Sequence, residues 1–193
     1  MRAPTFFLLF AALCAGPAAA SEAAWQALAR PGAVAMVRHA LAPGTGDPAG
    51  FDVRDCATQR NLDARGRAQA RAIGDLFRAN GIASARVLSS AWCRSRDTAT
   101  LLDLGPVEIL PALNSFFADR SRRGPQTESL RAVLAAEPDA PLRVLVTHQV
   151  NISALTGRPT RSGEIVVLRV TADGSVTVDG EIAVPVPPRA VSD

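Results

Sequence analysis

Short apolar runs alternate with segments of helical period along most of this 193-residue chain, and the runs end in turns or polar clusters. Ala33–Val37, after Pro31-Gly32, is long enough for a buried strand. Arg86–Ser90, Val107–Leu110 and Leu142–Thr147 read the same way. Between them Asp63 can cap a helix running to Ala79, with Ile73, Leu76 and Phe77 at helical spacing and Asn80-Gly81 as the stop. Further helices are expected over Trp92–Leu104, from a Thr127 cap to Ala136, and over Gln149–Leu155. Glu164–Val170 and Ser175–Val178 read as a closing hairpin around Asp173-Gly174. Strands separated by helices pair through crossovers, which makes a parallel sheet with a helix layer on each face. The expected fold class is therefore α/β, in three layers, with a largely parallel sheet. No repeat or linker divides the chain, and its length suits one core, so residues 21–193 are read as one domain.

A sheet of this kind binds ligands beyond the carboxyl ends of its strands. Three polar clusters fall there: Arg38-His39, Ser89–Arg94 and His148. The chain has only two histidines, and both sit at the end of an apolar run, with Arg38 and Arg94 in comparable places. A phosphate monoester carries close to two negative charges, and arginine meets its oxygens with a rigid, permanently charged fork. Arg38 and Arg94 are placed to clamp such a group, and Arg94 falls in the first turn of its helix, where free N–H groups favour an anion. An imidazole held neutral at one nitrogen can attack phosphorus in line, and a second imidazole, protonated, can steady charge on the equatorial oxygens.

Composition narrows the alternatives. All 21 basic side chains are arginine, which excludes a Schiff-base lysine and a Walker-type lysine. The net charge of +3 is small, and no basic run alternates with aromatics, so no nucleic-acid partner is expected. The histidines and cysteines show no ligand spacing, so neither metal nor cofactor is expected.

Residues 1–20 read as a secretory signal peptide: Arg2, an apolar stretch from Thr5 to Ala15, and Ala18-Ala19-Ala20 before a cut at Ser21. The rival is a retained anchor, for which the stretch is short against the roughly 20 residues of a membrane span. A periplasmic or secreted location follows from the first reading, with no membrane span left after leader removal. Loss of the leader takes Cys14 with it and leaves Cys56 and Cys93, an even pair in an oxidising compartment. A Cys56–Cys93 disulfide is one reading of that pair, and two free buried thiols the other.

Four stretches carry a resemblance to a known family. They are Val34–His39, Asn61–Ala70, Ser89–Ala99 and Val144–His148. In order and spacing they resemble the histidine phosphatase superfamily, the phosphoglycerate mutase-like group. The resemblance implies His39 as nucleophile, Arg38 and Arg94 as phosphate ligands, and His148 as the second catalytic histidine. It also implies hydrolysis of a phosphate monoester through a phosphohistidine without metal. Ala40 replaces the family's usual glycine. No acid follows Leu113, where many members carry a glutamate proton donor, and Gln149 stands where another branch has an aspartate. The nearest replacement is Asp119, with Glu128 second; the plainer role for Asp119 is pairing with Arg120, Arg122 or Arg123. Without a donor, acyl phosphates and phosphohistidine would be favoured substrates. Arg60 is given no role beyond the pocket rim. The alternative to an enzyme is a phosphate- or polyanion-binding module of the same fold with little turnover. The partner is otherwise a small-molecule or envelope-linked phosphorylated substrate.

Overall fold

The structure, a computed structural model, describes residues 17–189. The leader reading and Cys14 lie outside the described residues, apart from the four positions that open the first helix. That helix, α1 (Pro17–Leu28), has no counterpart in the sequence reading. Ala24, Ala27 and Leu28 are buried, and Trp25 meets Phe77 edge-on.

Six strands form one sheet: β1 (Ala33–Arg38), β2 (Arg86–Ser89), β3 (Val107–Ile109), β4 (Arg143–Thr147), β5 (Ile165–Val170) and β6 (Val176–Ile182). Their order across the sheet is β3-β2-β4-β1-β5-β6. The first four are mutually parallel, and the β5–β6 hairpin adds antiparallel to β1. The helices between them are α2 (Ala64–Ala79), α3 (Cys93–Leu102), α4 (Arg123–Ala135) and α5 (Gln149–Thr156). One apolar cluster packs α1, α2 and α3 on one sheet face through Ile73, Phe77, Ala99 and Leu102. A second packs α4 and α5 on the other through Leu130, Leu134, Ile152 and Leu155. Alternate residues of β1 divide between them, Ala35 and Val37 into the first and Val34 and Met36 into the second, as the period of two requires. The described residues thus form a three-layer α/β fold with a largely parallel sheet.

Asp63 caps α2 by accepting from the Gly66 amide. A Cβ on Gly66 would lie 1.9 Å from the Leu41 carbonyl oxygen, so only glycine lets α2 press against the loop leaving β1. The start of α4 differs from expectation. It begins at Arg123 and not after Thr127, because a 3₁₀ turn, Arg120–Arg122, runs straight into it. Asp119 is the residue that opens this turn, and Pro125 falls where the helix needs no donor.

A disulfide joins Cys56, in the loop before α2, to Cys93 at the start of α3. It bridges 37 positions, which in the chain-entropy view is a stabilisation of about 4 kcal/mol. Replacing both cysteines by serine is expected to lower the melting temperature by about 10 °C. A shift under about 2 °C in calorimetry would show that the link carries little of the stability.

Candidate active site

The register of the sheet brings the two histidines together. Arg38 of β1 pairs with Thr147 of β4, so the residues that follow, His39 and His148, leave adjacent strands at the same edge. The His39 amide donates to the Thr147 carbonyl at 2.9 Å, and the two rings lie 5.4 Å apart between centroids. His39 is 3 % exposed and His148 4 %. Ala40 needs no positive φ and is fully buried beside Ala42, Leu62 and Ala70, so the methyl that replaces the family's glycine is accommodated as core.

His39 has a defined tautomer. Nδ1 lies 2.8 Å from the Ala40 carbonyl oxygen, and a carbonyl only accepts. Nδ1 therefore carries the proton, and Nε2 of the neutral ring keeps its lone pair. Burial, then the charge of Arg94, pushes the His39 pKa down to about 3. His148 is also held well below its ordinary value, by burial first and the charge of His39 second. Its Nε2 lies 2.9 Å from Ser90 Oγ and 3.5 Å from Ser95 Oγ. Trp92 stands edge-on against it at 5.4 Å.

The arginines complete the floor. Arg94, with its side chain 3 % exposed, sits in the first turn of α3, and its Nη atoms meet the carboxylate of Asp47. Thr98 accepts from the Ala40 amide at 3.0 Å and donates to the Arg94 carbonyl at 2.7 Å, which ties α3 to the loop after His39. Arg38 donates to the Gln149 side chain at 3.2 Å and to the Thr160 carbonyl. Gln149, at the position where an acid was absent from the sequence, thus holds the Arg38 guanidinium. Arg60 reaches in from the loop before α2, held by the carbonyls of Ala42 and Gly46. Burial, then the charge of Arg94, depresses the pKa of both Arg38 and Arg60, the sign of a crowded cationic site.

These groups line one cavity of about 440 Å³. Its mouth is formed by Gly44–Asp47 and by Ser115, Phe117, Arg120 and Arg123. Arg120 stacks over Phe117, whereas Phe116 turns into the interior and is 2 % exposed. Asp119 is not among the lining residues. Its carboxylate takes the amide and hydroxyl of Ser121 to cap the 3₁₀ turn, so the structure does not bring it to the site as a proton donor. Glu128 lies away from the cavity, on the exposed side of α4. Arg60 and Asp47 are the pocket residues that sequence reasoning undervalued or passed over. Both lie in the long irregular connection between β1 and α2, where no periodicity shows which side chains turn inward. Among the described residues no cluster of three or more His, Cys, Asp or Glu is arranged to hold a metal, and no helix is long and apolar enough to cross a membrane.

The histidine pKa shift makes stability depend on pH. Folded His39 binds its proton more weakly than the unfolded side chain, whose pKa is about 6.5. As pH falls from there towards about 3, the unfolded chain binds the additional proton, and stability is lost. The melting temperature is expected to fall between pH 7 and pH of about 4.5, a window above most carboxylate titration. The fall should be smaller in His39→Gln. Equal falls in the two proteins would remove His39 as a cause.

A model of the histidine phosphatase superfamily (branch 1) matches residues 34–143. Among curated proteins no sequence matches. Solved structures with the same fold include a protein histidine phosphatase, SixA, complexed with tungstate: 19% identity, 78% of this chain and 96% of that chain covered, TM-score 0.57. A mycobacterial glucosyl-3-phosphoglycerate phosphatase aligns at 18% identity over 78% of this chain and 98% of its own, with TM-score 0.57. A phosphoserine phosphatase from Entamoeba histolytica, in complex with 3-phosphoglyceric acid, aligns at 12% identity over 78% and 96%, with TM-score 0.58.

Proposed function

The chain belongs to the histidine phosphatase superfamily, branch 1, and from that membership we propose that it is an exported phosphatase that hydrolyses phosphate monoesters through a phosphohistidine on His39, without a metal. The observation that carries this reading is the unprotonated Nε2 of His39 at the floor of a pocket walled by Arg38, Arg60, Arg94 and His148. The arginines neutralise the incoming phosphate and hold phosphorus in line with Nε2, so a bimolecular attack becomes a positioned one. The N–P bond forms as the ester P–O bond breaks. A bound dianion also favours the protonated form of His148, which then donates to an equatorial oxygen as charge builds there. Water attacks the phosphohistidine, returns the electron pair to Nε2 and releases phosphate.

The structural relatives bear the names of phosphatases acting on different phosphorylated compounds. What carries over is phosphoryl transfer to water, not a substrate. At the mouth, Phe117, Arg120 and Arg123 suit an organic group, from a small molecule or an envelope-linked sugar. Export rests on the leader pattern in residues 1–20 and accords with the Cys56–Cys93 disulfide.

Turnover of an aryl phosphate in the presence of a metal chelator tests the reading, because a good leaving group needs little help from an acid. Release of phenolate well above background supports it. No turnover, with inorganic phosphate still protecting the protein against heat, would show a binding module. That alternative is favoured by one observation, the position of Asp119 away from the pocket.

A further inference from the structure

Among the described residues lining the pocket, Asp47 is the only carboxylate. Its Oδ1 accepts from Arg94 Nη1, and its Oδ2 accepts from Arg94 Nη2 at 3.4 Å and from Trp92 Nε1 at 2.9 Å. Its side chain is 16 % exposed. Two arginine charges face it, Arg94 from α3 and Arg60 from the loop before α2. Burial alone would raise its pKa, but the hydrogen bonds from Arg94 and Trp92 outweigh that and hold it below the usual carboxylate range. It occupies both Nη atoms of Arg94 and leaves Nε buried without a partner, so a phosphate forked onto Nε and Nη2 shares Nη2 with the carboxylate. Carboxylate and phosphate therefore compete for one guanidinium.

That competition has a chemical consequence. A phosphate that takes over Arg94 leaves Asp47 with the Trp92 N–H and a dianion beside it. A poorly hydrated carboxylate next to negative charge holds a proton tightly. Geometry supports the same exchange. His39 attacks from the buried floor, so an in-line leaving group departs towards the mouth, and the Gly44–Asp47 loop forms part of that mouth.

We propose that Asp47 is the proton donor to the leaving group, held on Arg94 until phosphate displaces it. This rests on the phosphatase reading above. The substrate enters as its monoanion, and its proton passes to the Asp47 carboxylate as the remaining dianion settles on the arginines. The Nε2 lone pair of His39 forms the N–P bond. The ester P–O bond breaks, its electron pair goes to the ester oxygen, and that oxygen takes the Asp47 proton to leave as the alcohol. Asp47, again a carboxylate, accepts a proton from the water that attacks the phosphohistidine. The N–P electron pair returns to Nε2, and the Asp47 proton leaves with the phosphate as its monoanion.

Asp47→Asn in the full chain tests this, because asparagine keeps the shape but neither competes as an anion nor donates a carboxyl proton. On an alkyl phosphate such as glycerol phosphate, kcat is expected to fall by about 10²–10⁴-fold. On a nitrophenyl phosphate the fall should stay within about tenfold, since that leaving group departs without a proton. Inhibition by inorganic phosphate should tighten. Equal losses on the two esters, or weaker phosphate inhibition, would overturn the proposal and leave Asp47 as a residue that only positions Arg94. Should Asp47→Asn fail to fold, Asp47→Ser gives the same comparison. Wild-type protein inactive on the nitrophenyl ester would instead overturn the phosphatase reading, and this inference with it.

Discussion

Replacing His39 with alanine is expected to lower turnover of an aryl phosphate by about 10⁴–10⁶-fold, the scale on which loss of a covalent nucleophile acts. Of the two histidine rings at the pocket floor, His39 is the one whose tautomer is set by a carbonyl. Nδ1 is committed to the Ala40 carbonyl, and burial keeps the ring neutral, so Nε2 is nucleophilic across the working pH range. The arginines remain in the variant, so inorganic phosphate should still raise its melting temperature. Retained binding with lost turnover separates a nucleophile from a phosphate ligand. Quenching the wild-type protein in base during turnover of a labelled substrate should leave label on the chain, and acid should remove it. His39→Ala should carry none. Turnover within about tenfold of wild type would exclude His39 as the nucleophile.

Arg94→Leu is the second large effect, and it acts on both activity and stability. Loss of one preorganised donor from a charge-stabilising site costs about 10²–10³-fold in kcat. Because Arg94 is also a ground-state phosphate ligand in this reading, KM should rise and protection by phosphate should disappear. The same change leaves the Asp47 carboxylate without its partner. Breaking a buried pair costs about 3–5 kcal/mol, and the open pocket beside Asp47 reduces that to about 2–4 kcal/mol. The melting temperature should drop by about 5–15 °C. Arg94→Leu with Asp47→Leu removes both charges and should restore most of the stability and none of the activity, since replacing a whole buried pair by apolar groups is often neutral. A single variant as stable as wild type would show that Asp47 is solvated and not held by Arg94. The disulfide at Cys93 lies next to Arg94, so its removal by reduction should reduce activity along with stability.

Much of the architecture was legible because burial leaves a periodic trace. Strands buried on both faces read as unbroken apolar runs, and Ala33–Val37 and Leu142–Thr147 fall on β1 and β4 within a residue. The Asp63 cap and the Asn80-Gly81 stop bound α2 as expected. Local chemistry failed where two turns joined: Thr127 has the chemistry of a cap, but the 3₁₀ turn opened by Asp119 had already started the helix. Asp119 itself illustrates the limit for the site. Its type and place in the chain suited an acid, yet its carboxylate is spent on Ser121.

By itself the sequence determined the class of fold and the residues at the ends of the parallel strands, because strand length, apolar period and caps are set by near neighbours in the chain. Only the tertiary structure decided which loop residues join them. Asp47 meets Arg94 across 47 positions, and Arg38 meets Gln149 across 111. Such meetings depend on strand order and on where irregular backbone turns its side chains, and neither leaves a repeating signal in the sequence.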